Sequence, residues 1–534
     1  MRNEFVGFTI ISLLTIGLLH YFFWPNVIWL LIILGPILLL GWYDMLQSKH
    51  AIMRNFPIFG RGRYVMEELR PKLYQYFIES DTNGAPINRI HRSIVYQRAK
   101  KERSTTPFGT QLGVYDEGYE WMNHSIGALD AHEMSQHPRV MIGGAECTQP
   151  YSCSIYNVSA MSFGSLSSAA IEALNGGAKI GNFAHNTGEG GISPYHNRFG
   201  GDLIYQIGTG YFGCRTPDGN FDEQLFEERT KADNVKMIEL KLSQGAKPGH
   251  GGILPAKKNT PEIAMIRNVE PGVSVLSPPF HRAFSTPIGL LELLKKMRTL
   301  SGGKPVGFKF CVGRKSEFIA ICKAMIQTGI KPDFIAVDGG EGGTGAAPLE
   351  FSNSVGMPYK EGLAFVHDAL IGFDLSDEIK IITAGKIITG FHMFQAMALG
   401  ADVCYSARAM MLALGCIQAL ECNKNNCPTG VATQDKELVA GLNVGDKKKR
   451  VASFHEETVK SFVELMAASG ISKLCQIDRR QVSRRITMKE VRRYDEIYQP
   501  MKKGCLLNQS TIPESWNLFY NEASPEQFTP LTLN

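Results

Sequence analysis

The sequence predicts an α/β fold: a TIM (β/α)8 barrel preceded by an N-terminal transmembrane helical hairpin. Two apolar runs, Phe5 to Trp24 and Val27 to Tyr43, stand at the start of the chain. From Ile155 onward, short apolar or β-branched runs are each followed by a glycine-rich loop and a helical pattern, which is how a parallel βα unit reads. Eight such runs occur, at YNVSA, NFAHN, LIYQIG, VKMIELKL, PVGFKFCVG, DFIAVDGG, KIITAG and DVCYSA. Eight units close a barrel whose functional groups sit where strands end and loops begin.

Each apolar run is close to the length needed to cross a hydrocarbon core of roughly 30 Å as a helix. Only Pro25 and Asn26 separate them, and HYFFWPN offers no small-residue cleavage site, so the reading is a retained hairpin over residues 1–48 rather than a signal peptide. Tyr21 and Trp24 at one end, with Trp42 and Tyr43 at the other, match interfacial aromatic belts. Arg2 precedes the first span and Lys49, Arg54, Arg61 and Arg63 follow the second. The positive-inside rule then places the protein in the cell membrane with its catalytic part cytoplasmic. A buried helical hairpin in a soluble protein is the competing reading.

Residues 49–149 form a polar connector with apolar fragments. The spacing from Val65 to Phe77 suggests an amphipathic segment that Pro71 would interrupt or kink. Arg70 and Arg92 read as solvated surface. Residues 150–435 carry the barrel. Gly251 to Pro278 stretches the fourth connection well beyond the usual few residues, as lids and binding loops do. In the extension 436–534, Val451 to Gly470 has helical spacing, and the arginine-rich Asp478 to Arg493 reads as a solvated helical face. Ser510 to Asn534 reads as a surface tail.

Composition narrows the function. The chain has 534 residues, 44% hydrophobic and 20% charged, which suffices for a large core. Its net charge of +5 is small, and the one dense basic run, Lys447 to Arg450, reads as a solvated loop face, so no nucleic-acid partner is implied. Eleven scattered cysteines argue against a disulfide framework and for a reducing compartment. Two segments fit G-x-G-x-x-G, at Gly208 to Gly213 and Gly340 to Gly345. Neither has the βαβ context and downstream acid of a dinucleotide site, and both read as strand-end loops.

The densest chemistry is CIQALECNKNNCPTGVAT, Cys416 to Thr433. Cys416, Cys422 and Cys427 are separated by five and four residues, with Pro428 and Gly430 directly behind. Zinc is disfavoured because no fourth ligand lies nearby. Iron-sulfur clusters bind cysteine thiolates, usually four, so three suggest a cluster with one corner empty, as in a 3Fe-4S centre. Three reduced, packed cysteines remain the alternative on spacing alone.

C-x5-C-x4-C-P-x-G-V-A-T, preceded by SAMSFGSLS, HNTGEGG, LSQGAKPGHGG and DGGEGGTGAAP, resembles the FMN-binding synthase domain of glutamate synthase over roughly Ile155 to Gln434. The overall layout is similar to the stand-alone FMN-binding glutamate synthase family proteins of bacteria. The resemblance implies two cofactors, FMN and a 3Fe-4S cluster on Cys416, Cys422 and Cys427. Ser159, Ala160, Met161 and Ser162 match the loop that lies against the flavin, while Gln206 and Lys309 match its polar contacts. Gly342, Gly343, Gly385, Lys386 and Arg408 stand at the ends of the sixth to eighth strands, where barrels commonly bind phosphate. Glu189, Lys247 and Arg267 match positions that handle 2-oxoglutarate and the imine formed from it with ammonia, which is then reduced to L-glutamate. The chemistry suits the residue types: carboxylates need fixed cations, and a protonated imine is stabilised by a nearby carboxylate.

Two departures qualify that expectation. Where the glutamate synthases read PGEGGQLP, this chain has PGHGGILP, so His250 and Ile253 replace a glutamate and a glutamine. The start MRNEF, followed by the hairpin, lacks the N-terminal cysteine of a glutaminase domain. Nitrogen is therefore expected from ammonia, an amine or a partner, and electrons from a ferredoxin, a reductase subunit or a membrane carrier. The alternatives are the same cofactors acting on another amine or N-alkyl amino acid, and a catalytically silent membrane redox sensor.

Overall fold

The eight anticipated runs all become parallel strands of one closed barrel: β1 (Tyr156–Val158), β2 (His185–Asn186), β3 (Leu203–Ile207), β4 (Val235–Lys241), β5 (Val306–Phe310), β6 (Phe334–Asp338), β7 (Lys380–Ala384) and β8 (Val403–Ser406). Each pairs with the next, and β8 closes on β1 through Cys404–Tyr156 and Ser406–Val158. The computed structural model describes residues 1–102 and 105–532. Within them the chain divides into two compact units, Met1–Pro86 and Ile87–Asn534.

In the first unit, α1 (Arg2–Phe22) and α2 (Leu31–Leu46) are joined by a 3-10 turn at Pro25–Leu30. Phe5, Leu38 and Met45 pack between them. The outward faces stay apolar, with Ile33 70% and Leu39 73% exposed, and both helices are long and apolar enough to cross a membrane. Asp44, wholly buried at the end of α2, accepts hydrogen bonds from Arg61 and from the Ile58 amide. The helix Arg61–Leu73 contains Pro71 and runs into a π-helical turn at Tyr74–Ile78, so the proline loosens the helix rather than ending it.

In the second unit the stretch before the barrel has a clear task. Arg139–Ile142 pairs antiparallel with Tyr151–Ser154 immediately before β1, and Ile142, Tyr151 and Cys153 pack with the inward-facing Ile204, Met237, Phe334, Ile382 and Val403. This hairpin plugs the N-terminal end of the barrel and leaves the opposite end to the long loops. Arg92 is a correction: it is buried in the helix Arg89–Lys100 and donates to the Ile87 carbonyl at 2.7 Å rather than lying in solvent.

The extension corrects three further expectations. Lys447 to Arg450 belongs to the helix Val444–Ala468, not to a loop; Asn443 caps it, and Asp446 pairs with Arg450 one turn on. Asp478 to Arg493 is no helical face: Val482–Arg485 and Val491–Arg493 form a three-stranded antiparallel sheet with Glu120–Met122. That pairing joins segments some 360 residues apart and leaves no local trace. The segment 510–532 is not a bare tail either, because Glu514–Glu522 is a helix whose Trp516 stacks on Phe365 at 5.1 Å.

A buried ion pair supports the barrel wall. Asp333 accepts from the Val306 and Gly144 amides at 2.7 Å each and from Arg298 Nε at 3.1 Å, and both side chains are nearly inaccessible. Asp333→Ala leaves the Val306 and Gly144 amides without their acceptor, while Arg298 keeps Glu146 at 2.6 Å. The expected loss is about 2–4 kcal/mol, read as a lower urea midpoint with an unchanged slope.

Candidate active site

The strand ends bring a set of charges to one mouth of the barrel. Glu189, on the loop after β2, places Oε1 2.8 Å from Nζ of Lys241, the last residue of β4. The approach is close because Gly208, just beyond β3, has no side chain; a Cβ there would stand 2.3 Å from Glu189 Oε2. Gly188 sits at φ +66°, and a Cβ on it would meet the Ser162 amide at 2.7 Å, so the glutamate loop lies directly on the loop after β1. Burial pushes the Glu189 pKa up, but Lys241, Arg267 and Lys247 together hold it below the ordinary glutamate value.

The long fourth connection delivers the other cations. It leaves β4, forms a small hairpin of Ile253–Leu254 with Val275–Leu276, and carries the helix Pro261–Arg267, capped by Thr260. Arg267 is buried over the Phe212 ring at 5.1 Å and donates to the Phe163 carbonyl at 3.1 Å. Burial pulls its pKa down to about 10 against the opposing pull of Glu189. Lys247 Nζ donates to the Gly251 carbonyl at 2.8 Å. Burial lowers its pKa, Glu189 opposes this, and Lys241 adds to it. A small cleft is lined by Glu189, Lys241, His250, Gly252, Pro278 and Pro279 among others. Of the cations, Lys241 contacts Glu189 directly, while Lys247 and Arg267 bond to backbone carbonyls nearby and act on it through their charge.

A second polar set fills the barrel interior beneath the mouth. Side chains alternate along a strand, so Glu239 and Lys241 of β4 share a face. Gln206 Nε2 and Asn186 Nδ2 donate to Glu239 Oε1 at 2.6 and 2.9 Å, and Glu239 Oε2 is buried without a partner. Burial raises the Glu239 pKa despite Lys309 nearby. Burial also acts to lower that of Lys309, but Asp338, 3.3 Å away, and Glu239 outweigh it and raise it. Around this set, Ser159 and Ser162 are buried, Met161 is nearly so, and Ala160 is half-buried. The Ser159 amide donates to the Ser406 carbonyl across the barrel seam.

At the ends of β6 to β8, the Arg408 guanidinium donates to the Glu341 carbonyl and packs beside Gly343. Lys386, at φ +57°, follows Gly385, whose α-carbon packs against Tyr359. Burial lowers the Lys386 pKa and Arg408 lowers it further. The Glu341 carboxylate accepts from the Tyr359 amide, and Lys386 makes no ion pair within 4 Å among the described residues, although Glu341 acts on both cations and Asp338 on Arg408. Gly342 lies against the Ala246 amide.

The cysteine loop abuts the same region, since a Cβ on Gly345 would meet Cys422 Cβ at 3.2 Å. Cys416 and Cys422 are half-buried and Cys427 is buried, all as free thiols. Among the described residues no three metal-capable side chains gather around a single ion. Burial pushes Cys416 up to about 11 and raises Cys422. Burial acts to raise Cys427 too, but the Thr429 hydroxyl and the amides of Ala432, Thr429 and Val431 outweigh it and lower its pKa. Buried Lys258 donates to the Cys422 and Ala432 carbonyls at 2.8 and 3.1 Å, tying the fourth connection to this loop.

Lys241, Glu239 and Asp338 are the members that pattern reading passed over. Their signal is present all the same: Glu239 and Lys241 stand at alternate, buried positions of VKMIELK, and Asp338 ends the otherwise apolar FIAVD.

This is a (β/α)8-barrel protein whose polar chemistry is concentrated at the C-terminal mouth. A family profile described as the conserved region in glutamate synthase matches residues 122–472. The chain therefore belongs to the glutamate synthase family of oxidoreductases. It is 36% identical to the glutamate synthase large subunit-like protein YerD of Bacillus subtilis over 483 residues, 83% of this chain and 91% of that one. It is 34% identical to the archaeal glutamate synthase (NADPH) of Methanocaldococcus jannaschii, over 59% of this chain and 58% of the relative's length. Against the ferredoxin-dependent glutamate synthase of Antithamnion sp., the match is 36% over 45% of this chain and 15% of the relative.

Proposed function

We propose that the chain is a membrane-anchored FMN and iron-sulfur oxidoreductase that reductively aminates a 2-oxo acid, the reaction type that makes L-glutamate from 2-oxoglutarate through 2-iminoglutarate. The observation that carries the reading is the Glu189–Lys241 pair at the barrel mouth, with Lys247 and Arg267 acting on the same carboxylate. Lys241, Lys247 and Arg267 hold the acid's carboxylate, and the ionised Glu189 stabilises the protonated imine nitrogen.

The donor sets fit the two cofactors. Lys386 and Arg408, two cations near enough for Arg408 to lower the Lys386 pKa, suit a dianionic phosphate. Gln206, Lys309 and the unpartnered Glu239 oxygen suit a polar ring edge, and residues 159–162 back the ring. FMN supplies the two-electron chemistry that side chains lack. Cys416, Cys422 and Cys427 would each hold a different iron of a 3Fe-4S cluster, so their sulfurs need not meet at one ion, and the amides around Cys427 favour its thiolate. Ammonia or an amine supplies nitrogen, and a ferredoxin or reductase subunit supplies electrons one at a time. The hairpin of α1 and α2 anchors the protein, with Lys49, Arg54 and Arg63 keeping the barrel cytoplasmic.

The test is a combined absorbance and paramagnetic resonance spectrum of the purified protein. Flavin bands with an iron signal are expected. Colourless protein after anaerobic reconstitution with iron, sulfide and flavin would remove the proposal.

A further inference from the structure

We infer that the helix Arg61–Leu73 and the turn Tyr74–Ile78 that prolongs it lie along the bilayer surface, one apolar face among lipid acyl chains and the basic edges against anionic headgroups. The inference rests on the membrane-anchor reading above.

The segment begins where the hairpin ends. Phe5, near the start of α1, and Met45, near the end of α2, pack together with Leu38, and Ile58 packs against this cluster. Asp44 fixes the chain that follows: wholly buried in the last turn of α2, it accepts from the Ile58 amide at 3.0 Å and from Arg61 Nη2 at 2.6 Å. Arg61 also lies over the Tyr43 ring at 5.9 Å, and the rings of Tyr64 and His50 meet at 4.6 Å. A helix whose first residue is bound to the last turn of a membrane-crossing helix starts at the depth where hydrocarbon gives way to headgroups.

Its sequence suits that depth. Val65, Met66, Leu69 and Leu73 recur at helical spacing, and Tyr76 and Phe77 carry the stripe into the turn. Such a stripe ordinarily faces a core. Here no residue of either element is buried, and Met66 is 59% and Phe77 80% exposed. At about 3.6 residues per turn, Arg63 and Arg70 border the stripe on one side and Lys72 on the other, with Glu67 and Glu68 on the face behind. Arg63 and Glu67 form an exposed pair at 2.8 Å on that polar side.

Residues 49–78 carry six Lys and Arg against two Glu, a balance that favours an anionic surface. An apolar stripe with basic edges is the pattern of helices that sink one face to the boundary between headgroups and acyl chains, while long basic side chains reach back to the phosphates. In water the same stripe would stay uncovered.

The experiment places the photoreactive residue p-benzoylphenylalanine at Leu69 in the full-length protein, reconstituted into vesicles of phosphatidylcholine and phosphatidylglycerol. After illumination, the labelled peptide is weighed by mass spectrometry. The same residue at Leu39, on the exposed face of α2, and at Glu68 gives the comparison. Lipid adducts are expected at Leu39 and Leu69 and few at Glu68. Adducts at Leu39 but not at Leu69, or a Leu69 adduct to a second copy of the chain in place of lipid, overturn the inference and leave the anchor standing. Equal adducts at Leu69 and Glu68 overturn the one-faced placement. No lipid adduct at Leu39 removes the anchor, and the inference with it. Replacing the phosphatidylglycerol by phosphatidylcholine is expected to lower the Leu69 yield roughly fivefold, and Arg70→Glu with Lys72→Glu to abolish that dependence. A Leu69 yield indifferent to lipid charge overturns the assignment of the basic edges.

Discussion

Glu189→Gln is expected to slow reoxidation of the reduced holoenzyme by 2-oxo acid and ammonia about 10²- to 10⁴-fold, the range for a positioned acid-base or charge-stabilising group. Glutamine has nearly the same volume, so the contact with Gly208 survives and flavin content should not change. What disappears is the negative charge that Lys241 holds at 2.8 Å and that Arg267 and Lys247 also feel. The neutral amide cannot stabilise a protonated imine.

The pH dependence follows from the same charges. Because the folded-state pKa of Glu189 is lowered, its ionised form is stabilising above the unfolded glutamate pKa, and that contribution fades as pH falls through the lower folded value. The acid limb of kcat/KM should therefore lie below the ordinary glutamate range. A variant retaining more than a tenth of wild-type rate, or an acid limb near pH 6, would show that another residue carries the charge.

The barrel is readable because most of its strands are short apolar or β-branched runs followed by a glycine-containing loop, and a strand buried on both faces carries that pattern locally. Even β2, reduced to His185–Asn186, was marked by NFAHN. Glu189 and Lys247 stand out as charges in glycine-rich loops, whereas Arg267 closes a short helix and was singled out by family order alone. Lys241 could not, since its function depends on which residue of β2 faces β4 across the mouth, and only closure of the sheet decides that. The same limit hid the Arg139–Ile142 plug and the sheet joining Glu120–Met122 to the C-terminal extension. Arg92 was misread for a different reason: its Ile87 acceptor is a backbone carbonyl at the start of its own helix, and no side chain in the sequence announces it.

Cys427→Ala is expected to remove essentially all iron that can be reconstituted into the protein, with the flavin retained. A cluster held at only three points gives each iron one protein ligand, so losing one thiolate leaves an iron without an anchor. Of the three, Cys427 is the most deeply set and the one whose thiolate the surrounding amides favour, whereas burial raises the pKa of both Cys416 and Cys422. The residues proposed above to bind flavin, Gln206, Lys309 and Arg408, lie on β3, β5 and the end of β8, away from the substituted loop position. Cys475→Ala, which changes an exposed thiol outside this loop, should keep wild-type iron. Metal analysis and paramagnetic resonance of the two variants side by side decide the matter: wild-type iron in Cys427→Ala would mean that the cluster, if present, is held elsewhere, and equal loss in Cys475→Ala would mean that the iron was never specific to this loop.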